Sequence, residues 1–527
     1  MNIETIIQGG FWMTTTNLQL SRSLLVGEMV RRAAHQTPDK EAFIFSDIRC
    51  TYGQLEEKAV KLAGWLQQAK IGYQDKVGFL LLNGLPFVEA FYATALTGAV
   101  GVPLNFRLNA DELAYMIDHS DCRLLFVNHQ YVELIESILY KCPNLERMIV
   151  VGDSTMPEYL NYDSIFDGTY EFQPCEKLGS DSDCVIMYTS GTTGQPKGAV
   201  LTHQNLCVNA LNRASFSKLD ANHKQLIVAP LFHIAALSTL VSPLSGTSVI
   251  HSQFQPLDVL ETIEKESINA IFLAPTMWHL LVSVPNIKDF DLSSLTTGYA
   301  GSAPSPIPLK EKILQCFPNV QLYDPFGQSE MSPVTTCLLP GDSMRKNTSV
   351  GKPISNVEVR VVDEEMNDVP LGEIGEIVYR GPTLMREYYK NPEATEEAFR
   401  GGWFHSGDLV RMDDEGFIYV VDRKKDMIIS GGENIYPIEV ENILYKHPAI
   451  EECAIIGVPD EKWGEVVKAV VVKKPGATLT EEEVIAYCQD RLASYKKPKI
   501  VEFVEALPRN AAGKILKKVL REQFASL

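Results

Sequence analysis

The sequence predicts an α/β protein in two parts. A large N-terminal domain over residues 1–424 combines α/β sheets with a small β-barrel, and a small α+β domain occupies residues 425–527. Three observations carry this reading. Short apolar runs alternate with amphipathic segments through much of the chain, as expected of parallel strands covered by helices. Close-set strand patterns replace that alternation after residue 356. A charged run, Asp422-Arg423-Lys424-Lys425-Asp426, then precedes a second α/β pattern.

Taken in order, the runs at 124–127, 148–151, 185–188, 226–228, 248–251 and 270–273 read as buried strands. Between them, 257–267 sets Leu260 and Ile263 on one face and Glu261, Glu264 and Lys265 on the other, and 309–317 is a second helical candidate. The stretch 77–104 is the most apolar, but Asn83, Pro86, Glu89 and several glycines interrupt it, so it reads as buried helix and strand and not as a bilayer span. Strand patterns at 357–362 and 376–379, separated by Asp-, Asn- and Gly-bearing turns, suit a small antiparallel sheet or barrel closing the large domain. Past the charged run come a helix at 437–445 and strands at 454–456 and 469–472, enough for a second domain of ordinary size.

With 527 residues, 45% hydrophobic and 22% charged, the chain can bury more than one core, which excludes disordered and fibrous classes. Its net charge of −19 repels a nucleic-acid backbone, so no nucleic-acid partner is expected. From 491 to 527 the balance reverses, with nine Lys or Arg against three Glu. Ten cysteines without any C-x-x-C pair form neither a readable disulfide framework nor a zinc site, which fits a reducing cytoplasm. No Lys or Arg precedes Arg22, so the basic region of a secretory signal is missing. Ala525-Ser526-Leu527 approaches a peroxisomal tripeptide but lacks its Lys. Whether Met1 or Met13 is the start, and whether the chain forms a homodimer or touches a membrane surface transiently, stay open.

The densest signal is Tyr188-Thr189-Ser190-Gly191-Thr192-Thr193-Gly194-Gln195-Pro196-Lys197-Gly198, directly after Val185-Ile186-Met187. Hydroxyls, glycines and one Lys packed this closely supply backbone N–H groups, side-chain donors and a cation that can wrap a polyphosphate. The same composition also builds plain surface loops; the preceding strand and Lys197 favour the cradle. It is not the P-loop of kinases and ATPases, because Pro196 replaces the second Gly and Gly198 stands where Ser or Thr would hold Mg²⁺.

Further segments follow in order. They are Pro230-Leu231-Phe232-His233, Gly301-Ser302-Ala303-Pro304, Phe326-Gly327-Gln328-Ser329-Glu330, Trp403-Phe404-His405-Ser406-Gly407-Asp408, Asp422-Arg423-Lys424-Lys425 and Pro508-Arg509-Asn510-Ala511-Ala512-Gly513-Lys514. Together with the loop this ordered set resembles the adenylate-forming superfamily of acyl- and aryl-CoA synthetases, peptide-synthetase adenylation domains and beetle luciferases. Within it the pattern is most similar to a free-standing fatty-acid CoA ligase.

The resemblance implies a two-step reaction: a carboxylate and ATP give acyl-AMP and pyrophosphate, and a thiol then displaces AMP. It implies that Thr189, Ser190, Gly191, Thr192, Thr193, Gly194 and Lys197 hold the phosphates, and that Gly301, Ser302, Ala303 and Pro304 line the adenine side. Asp324, Phe326, Gly327, Gln328 and Ser329 complete the nucleotide site, with the Phe326 ring stacked on adenine. Joining two anions requires cations and a metal, and the resemblance gives Mg²⁺ to Glu330, a hard oxygen ligand for a hard ion. Asp408 accepts the ribose hydroxyls, and Arg423, charged at any accessible pH, meets ribose or phosphate. Lys514 enters from the small domain to stabilise the adenylation transition state, while Lys517 and Lys518 are assigned to the solvated face. Lys425 is the hinge on which Ser430, Gly431, Gly432 and Glu433 swing to the CoA channel, two adjacent glycines suiting backbone that lies against a thin ligand. Lys496, Lys497 and Lys499 are candidates for the CoA phosphates. His233 orients the carboxylate or is a hydrogen-bonded core His.

Segments 234–237 and 271–277 are apolar and carry no Lys or Arg for a second carboxylate, which favours a monocarboxylic acid. A medium- to long-chain fatty acid is the expected substrate, although Leu237 stands near where some long-chain members carry a Trp gate. An aryl or succinylbenzoate-type acid is the alternative. CoA is the expected acceptor, a separate carrier protein the other candidate.

Overall fold

The computed structural model describes residues 22–152, 159–189, 195–242, 244–303, 305–431, 433–489, 491–509 and 515–524. Two compact units emerge. In the first, the strands Glu41–Phe45, Thr247–Ile250, Lys224–Ile227, Ala270–Leu273, Thr297–Ala300 and Gln321–Gly327 pair in parallel in that spatial order. Their crossovers are helices, as parallel pairing demands: Pro256–Glu266, Pro275–Leu281 and Ile307–Cys316 each begin with a proline in the first turn, where its missing N–H costs no bond. Val259, Leu260, Ile263, Trp278, Ile313 and Phe317 bury their side chains in one core against this sheet. Trp278 satisfies its indole by donating to Tyr299 O at 3.0 Å and meets Phe317 edge-on.

A second sheet places Lys76–Leu80 between Val100–Pro103 and Cys122–Asn128, all parallel, with Arg147–Val151 beyond. The apolar stretch 77–104 is thus strand, helix Leu85–Thr97 and strand. No helix among the described residues is long and apolar enough to cross a membrane. On the other side of Val100–Pro103, Asp183–Thr189 pairs in parallel and then turns back through Lys197–Thr202 as an antiparallel hairpin. Lys197–Thr202 was not expected as a strand, because its Lys and Gly belong to the loop signature. Thr202 ends it by capping His203–Phe216 in a reciprocal box with Asn205.

In the second unit, Glu358–Val362, Ile374–Arg380, Phe404–Met412 and Ile418–Arg423 form the antiparallel sheet expected from the turn pattern. This sheet does not group with the N-terminal unit, so the compact units do not part at residue 424. The physical reason is local: its last strand runs into the charged turn, and the Asp422 carboxylate accepts the N–H of Ile438 at the start of helix Pro437–Leu444. Beyond lies a second core, with Ile428, Val440, Leu444, Ile455, Val467 and Val471 buried under strands Ile450–Asp460 and Gly464–Lys473.

Candidate functional site

The described ends of the phosphate-cradle signature lie on two antiparallel strands. Thr189 pairs with Lys197 and Tyr188 with Gly198, so the two ends of the loop are held one strand spacing apart; Ser190, Gly191, Thr192, Thr193 and Gly194 lie outside the described residues. Both roots are tied to helix Ala110–His119: Tyr115 donates its hydroxyl to Pro196 O at 3.2 Å, and His119 Nδ1 is 2.8 Å from the Tyr188 hydroxyl. Strand Glu387–Tyr388 adds antiparallel to Lys197–Thr202, and Tyr389 N–H donates to Gly198 O at 2.7 Å. That register sets the Lys197 ammonium 5.0 Å over the Tyr388 ring.

Glu330 arrives from another sheet. It sits in the turn Ser329–Met331 after strand Gln321–Gly327, 7% exposed, and its Oε1 accepts the Tyr388 hydroxyl at 2.8 Å. Gly327 makes the turn possible by close approach: a Cβ there would lie 1.9 Å from Pro333 O, the oxygen that accepts the Gln328 N–H. Among the described residues no group of three or more His, Cys, Asp or Glu could hold a metal ion.

Strands Thr297–Ala300 and Gln321–Gly327 are parallel neighbours, so 301–303 leaves the sheet alongside 325–327, and 328–330 follows beyond the same carboxyl edge, where open α/β sheets bind ligands. Gly301 is buried against Phe272 and Pro325, whereas Ser302 and Ala303 are exposed and Pro304 lies outside the described residues. Phe326 is half-buried. The buried Gln328 Nε2, on the segment assigned to the nucleotide, and Ser305 Oγ, just past the adenine-side segment, have no hydrogen-bond partner among the described residues. Asp324 differs from the expectation of a nucleotide ligand alone. Its Oδ2 pairs at 2.6 Å with Lys310, a side chain only 2% exposed, and burial pushes the Asp324 carboxyl up against the pull of that ammonium.

His233 caps helix Ile234–Leu240, its Nδ1 accepting from Ala235 N–H at 3.3 Å. Burial lowers its pKa. A neutral ring whose Nδ1 accepts carries its proton on Nε2, so of the two readings the geometry shows the hydrogen-bonded residue, a helix cap. On the same helix Ala235 and Thr239, one turn apart, are half-buried while Ile234, Ala236 and Leu237 are buried.

In the second unit, strand register sets Asp408 directly opposite Arg423, and Asp408 Oδ1 takes the guanidinium Nε at 2.7 Å. The Asp408 side chain is 4% exposed and the Arg423 side chain 34%. Lys425 lies in the turn Lys424–Asp426, between two neighbours anchored differently: Lys424 pairs with Glu376 of the antiparallel sheet at 3.4 Å, and Asp426 with Arg521 of the terminal helix Lys517–Phe524 at 2.8 Å. Ser430 and Glu433 face each other across a hairpin. Gly431, at φ +61°, donates to Trp463 O at 2.8 Å, and a Cβ there would lie 2.7 Å from the Trp463 ring. Gly432 and Lys514 lie outside the described residues.

One basic-tail assignment changes. Lys517 is not solvated: it is 16% exposed and pairs with Glu441 at 2.7 Å, whereas Lys518 is half exposed as expected. Lys496 is held by Glu439 at 2.7 Å, while the Lys499 ammonium lies 4.6 Å over the Trp463 ring beside Gly431. Tyr388, Lys310 and Glu376 were not singled out from the sequence, since each carries ordinary local composition and acquires its partner only through pairing between distant strands or packing of a helix on the sheet.

Residues 30–389 match the family described as AMP-binding enzyme, and residues 439–514 match the AMP-binding enzyme C-terminal domain. The chain is 39% identical over 502 residues to a feruloyl-CoA synthase of an Amycolatopsis species, covering 95% of this chain and 99% of the relative. It is 35% identical over 510 residues to a long-chain-fatty-acid–CoA ligase of Mycobacterium tuberculosis, with 95% and 99% covered. Among solved structures it superposes, with TM-score 0.83 and 31% identity over 94% of this chain and 99% of the other, on the o-succinylbenzoate coenzyme A synthetase of Bacillus subtilis in complex with ATP and magnesium ion. With a hairpin-borne phosphate signature, a buried Glu330 and a register-paired Asp408–Arg423, the chain belongs to the AMP-binding enzyme family, the adenylate-forming superfamily of AMP-forming acyl-CoA ligases.

Proposed function

We propose that this protein joins an apolar monocarboxylic acid to CoA, using ATP and Mg²⁺. The observation that supports it is the meeting of Lys197 and Glu330 at opposite parts of one tyrosine, an ammonium suited to phosphate and a carboxylate suited to a metal, each carried by a separate sheet. In the first step a carboxylate oxygen attacks the α-phosphorus and pyrophosphate leaves; in the second a thiolate attacks the acyl carbon and AMP leaves. Lys197 and the loop 189–194 neutralise the departing phosphates. Mg²⁺, when bound at Glu330, supplies further charge neutralisation on the phosphate oxygens. His233 donates its Nε2 proton to a carboxylate oxygen and so fixes which oxygen attacks. Asp408, oriented by Arg423, accepts the ribose hydroxyls, and Lys514 supplies the remaining positive charge during adenylation.

The small domain turns at Lys425 between the steps. The opposite anchoring of Lys424 and Asp426 supports a pivot there, since each neighbour belongs to a different packed element. After the turn, Ser430, Gly431, Gly432 and Glu433 face the pantetheine arm, and Lys499, not the paired Lys496, offers its charge to a CoA phosphate. Ten free thiols suit a reducing cytoplasm as the working compartment.

The acid is a medium- to long-chain fatty acid on the apolar lining of 234–237 and the similarity to the fatty-acid ligase. A second reading, an aryl acid, is favoured by the higher identity to the feruloyl-CoA synthase and by small Ala235 on the half-buried side of the pocket helix. ATP–pyrophosphate exchange over a panel of fatty and aryl acids, followed by thioester assay with CoA, separates them. Exchange with dicarboxylates only would refute both, and exchange without a CoA thioester would move the acceptor to a carrier protein.

A further inference from the structure

Tyr388 touches both chemical poles of the first half-reaction. Its hydroxyl donates to Glu330 Oε1 at 2.8 Å, and its ring face lies 5.0 Å from the Lys197 ammonium. It is 9% exposed, and its place is fixed from three sides. The strand Glu387–Tyr388 is paired with Lys197–Thr202, its own N–H donates to Thr395 Oγ1 at 3.0 Å, and the next residue, Tyr389, holds Gly198 O from one side and Asp121 Oδ2 from the other at 2.8 Å. The phenol is therefore a rigid post and not a mobile side chain.

We infer that Tyr388 is a positioning residue that sets the metal-binding carboxylate and the phosphate-binding ammonium in mutual register before ATP arrives. Two properties do this separately. The hydroxyl occupies one lone pair of Glu330 Oε1, which stops the carboxylate from rotating and leaves its remaining lone pairs to a hard cation. The aromatic face holds the Lys197 ammonium by its negative quadrupole without neutralising it, so the charge stays available to phosphate. A carboxylate in the same place would pair with Lys197 and quench it. A phenol orients both groups and removes the charge of neither.

The inference rests on the reading that Glu330 takes Mg²⁺ and Lys197 takes phosphate, and the test keeps the two apart. ATP affinity is measured by calorimetry with EDTA and again with Mg²⁺, and Mn²⁺ binding in the presence of ATP is followed by electron paramagnetic resonance. Tyr388→Phe keeps the ring and loses the donor. It is expected to keep metal-free ATP affinity, to lose about tenfold of the metal-dependent gain, the size of one charge-assisted hydrogen bond, and to weaken Mn²⁺ binding in step. Tyr388→Gln keeps a donor and loses the ring, and is expected to do the reverse, weakening metal-free ATP binding severalfold while retaining the metal-dependent gain. Thermal melts check that each variant is folded, and either variant alone still tests its own half. If both variants lose both quantities together, Tyr388 is only structural and the inference is overturned; it is equally overturned if neither variant changes either. Glu330→Gln is the control for the underlying reading. Should it retain the full metal-dependent gain, Glu330 is not the metal carboxylate and the site reading itself fails, an outcome distinct from a silent Tyr388→Phe.

Discussion

Asp408 is a buried carboxylate whose competence depends on the residue across the ladder. Taking a carboxylate out of water is costly unless it is paired, and Arg423 Nε at 2.7 Å from Asp408 Oδ1 provides the pair. Asp408→Asn is expected to raise the KM for ATP roughly tenfold, as loss of a charged acceptor does, with the KM for the acid nearly unchanged. Arg423→Ala should produce a similar rise, and the double variant should be no worse than the poorer single one, because the two act as a unit. Additive losses in steady-state kinetics would show that they act independently. Lys514 belongs to the same scale. Lys514→Ala should nearly abolish ATP–pyrophosphate exchange yet spare thioester formation from supplied acyl-adenylate, since its charge is needed only while the pentavalent phosphorus develops. Equal loss in both half-reactions would end that division of labour. Asp408 and Lys514 stand out in the sequence by the motifs that contain them. Lys310 and Tyr388 do not: a Lys in an amphipathic helix reads as solvated until packing closes over it, and Tyr388 is 58 residues from the carboxylate it bonds.

Among the elements, the charged turn Lys424–Asp426 is the most consequential. It was visible as a cluster of charge, but the sequence could not say that its two ends are held by different elements, Lys424 by Glu376 and Asp426 by Arg521. Rotation at Lys425 needs a free φ between two fixed points. Lys425→Pro, which locks φ near −65°, is expected to slow CoA thioester formation by at least tenfold while pyrophosphate exchange falls far less; comparing the two partial rates decides it, and an unaffected second step would remove Lys425 from the hinge. The phosphate loop teaches the converse lesson. Its composition was legible, but the strand that follows it was not, because Lys197–Thr202 becomes a strand through pairing on both sides, with Asp183–Thr189 and with Glu387–Tyr388.

Across the whole molecule, two imidazoles make the fold sensitive to acid. His203 is fully buried with Nδ1 accepting the Val26 N–H, and burial lowers its pKa to about 3. His223 is lowered to about 4, by burial first and then by the Arg213 charge. Both must stay neutral in the folded state, whereas the unfolded chain takes up their protons near pH 6.5. Their contribution is therefore complete above about 6.5 and is lost as the pH falls toward 4. Urea midpoints should drop between pH 7.5 and pH 5, and His223→Gln should flatten that slope; a pH-independent midpoint would contradict the burial argument. The sequence by itself determined the α/β class, the order of motifs, the absence of a disulfide framework and the acidic balance, because these depend on local periodicity and residue type. Only the tertiary structure decided which charges meet. It paired Lys517 with Glu441 instead of solvent, gave the antiparallel sheet to the second unit, and set Tyr388 between Lys197 and Glu330. Those outcomes follow from strand register and from which faces pack together, and side chains brought together by register carry no mark of it in the sequence around them.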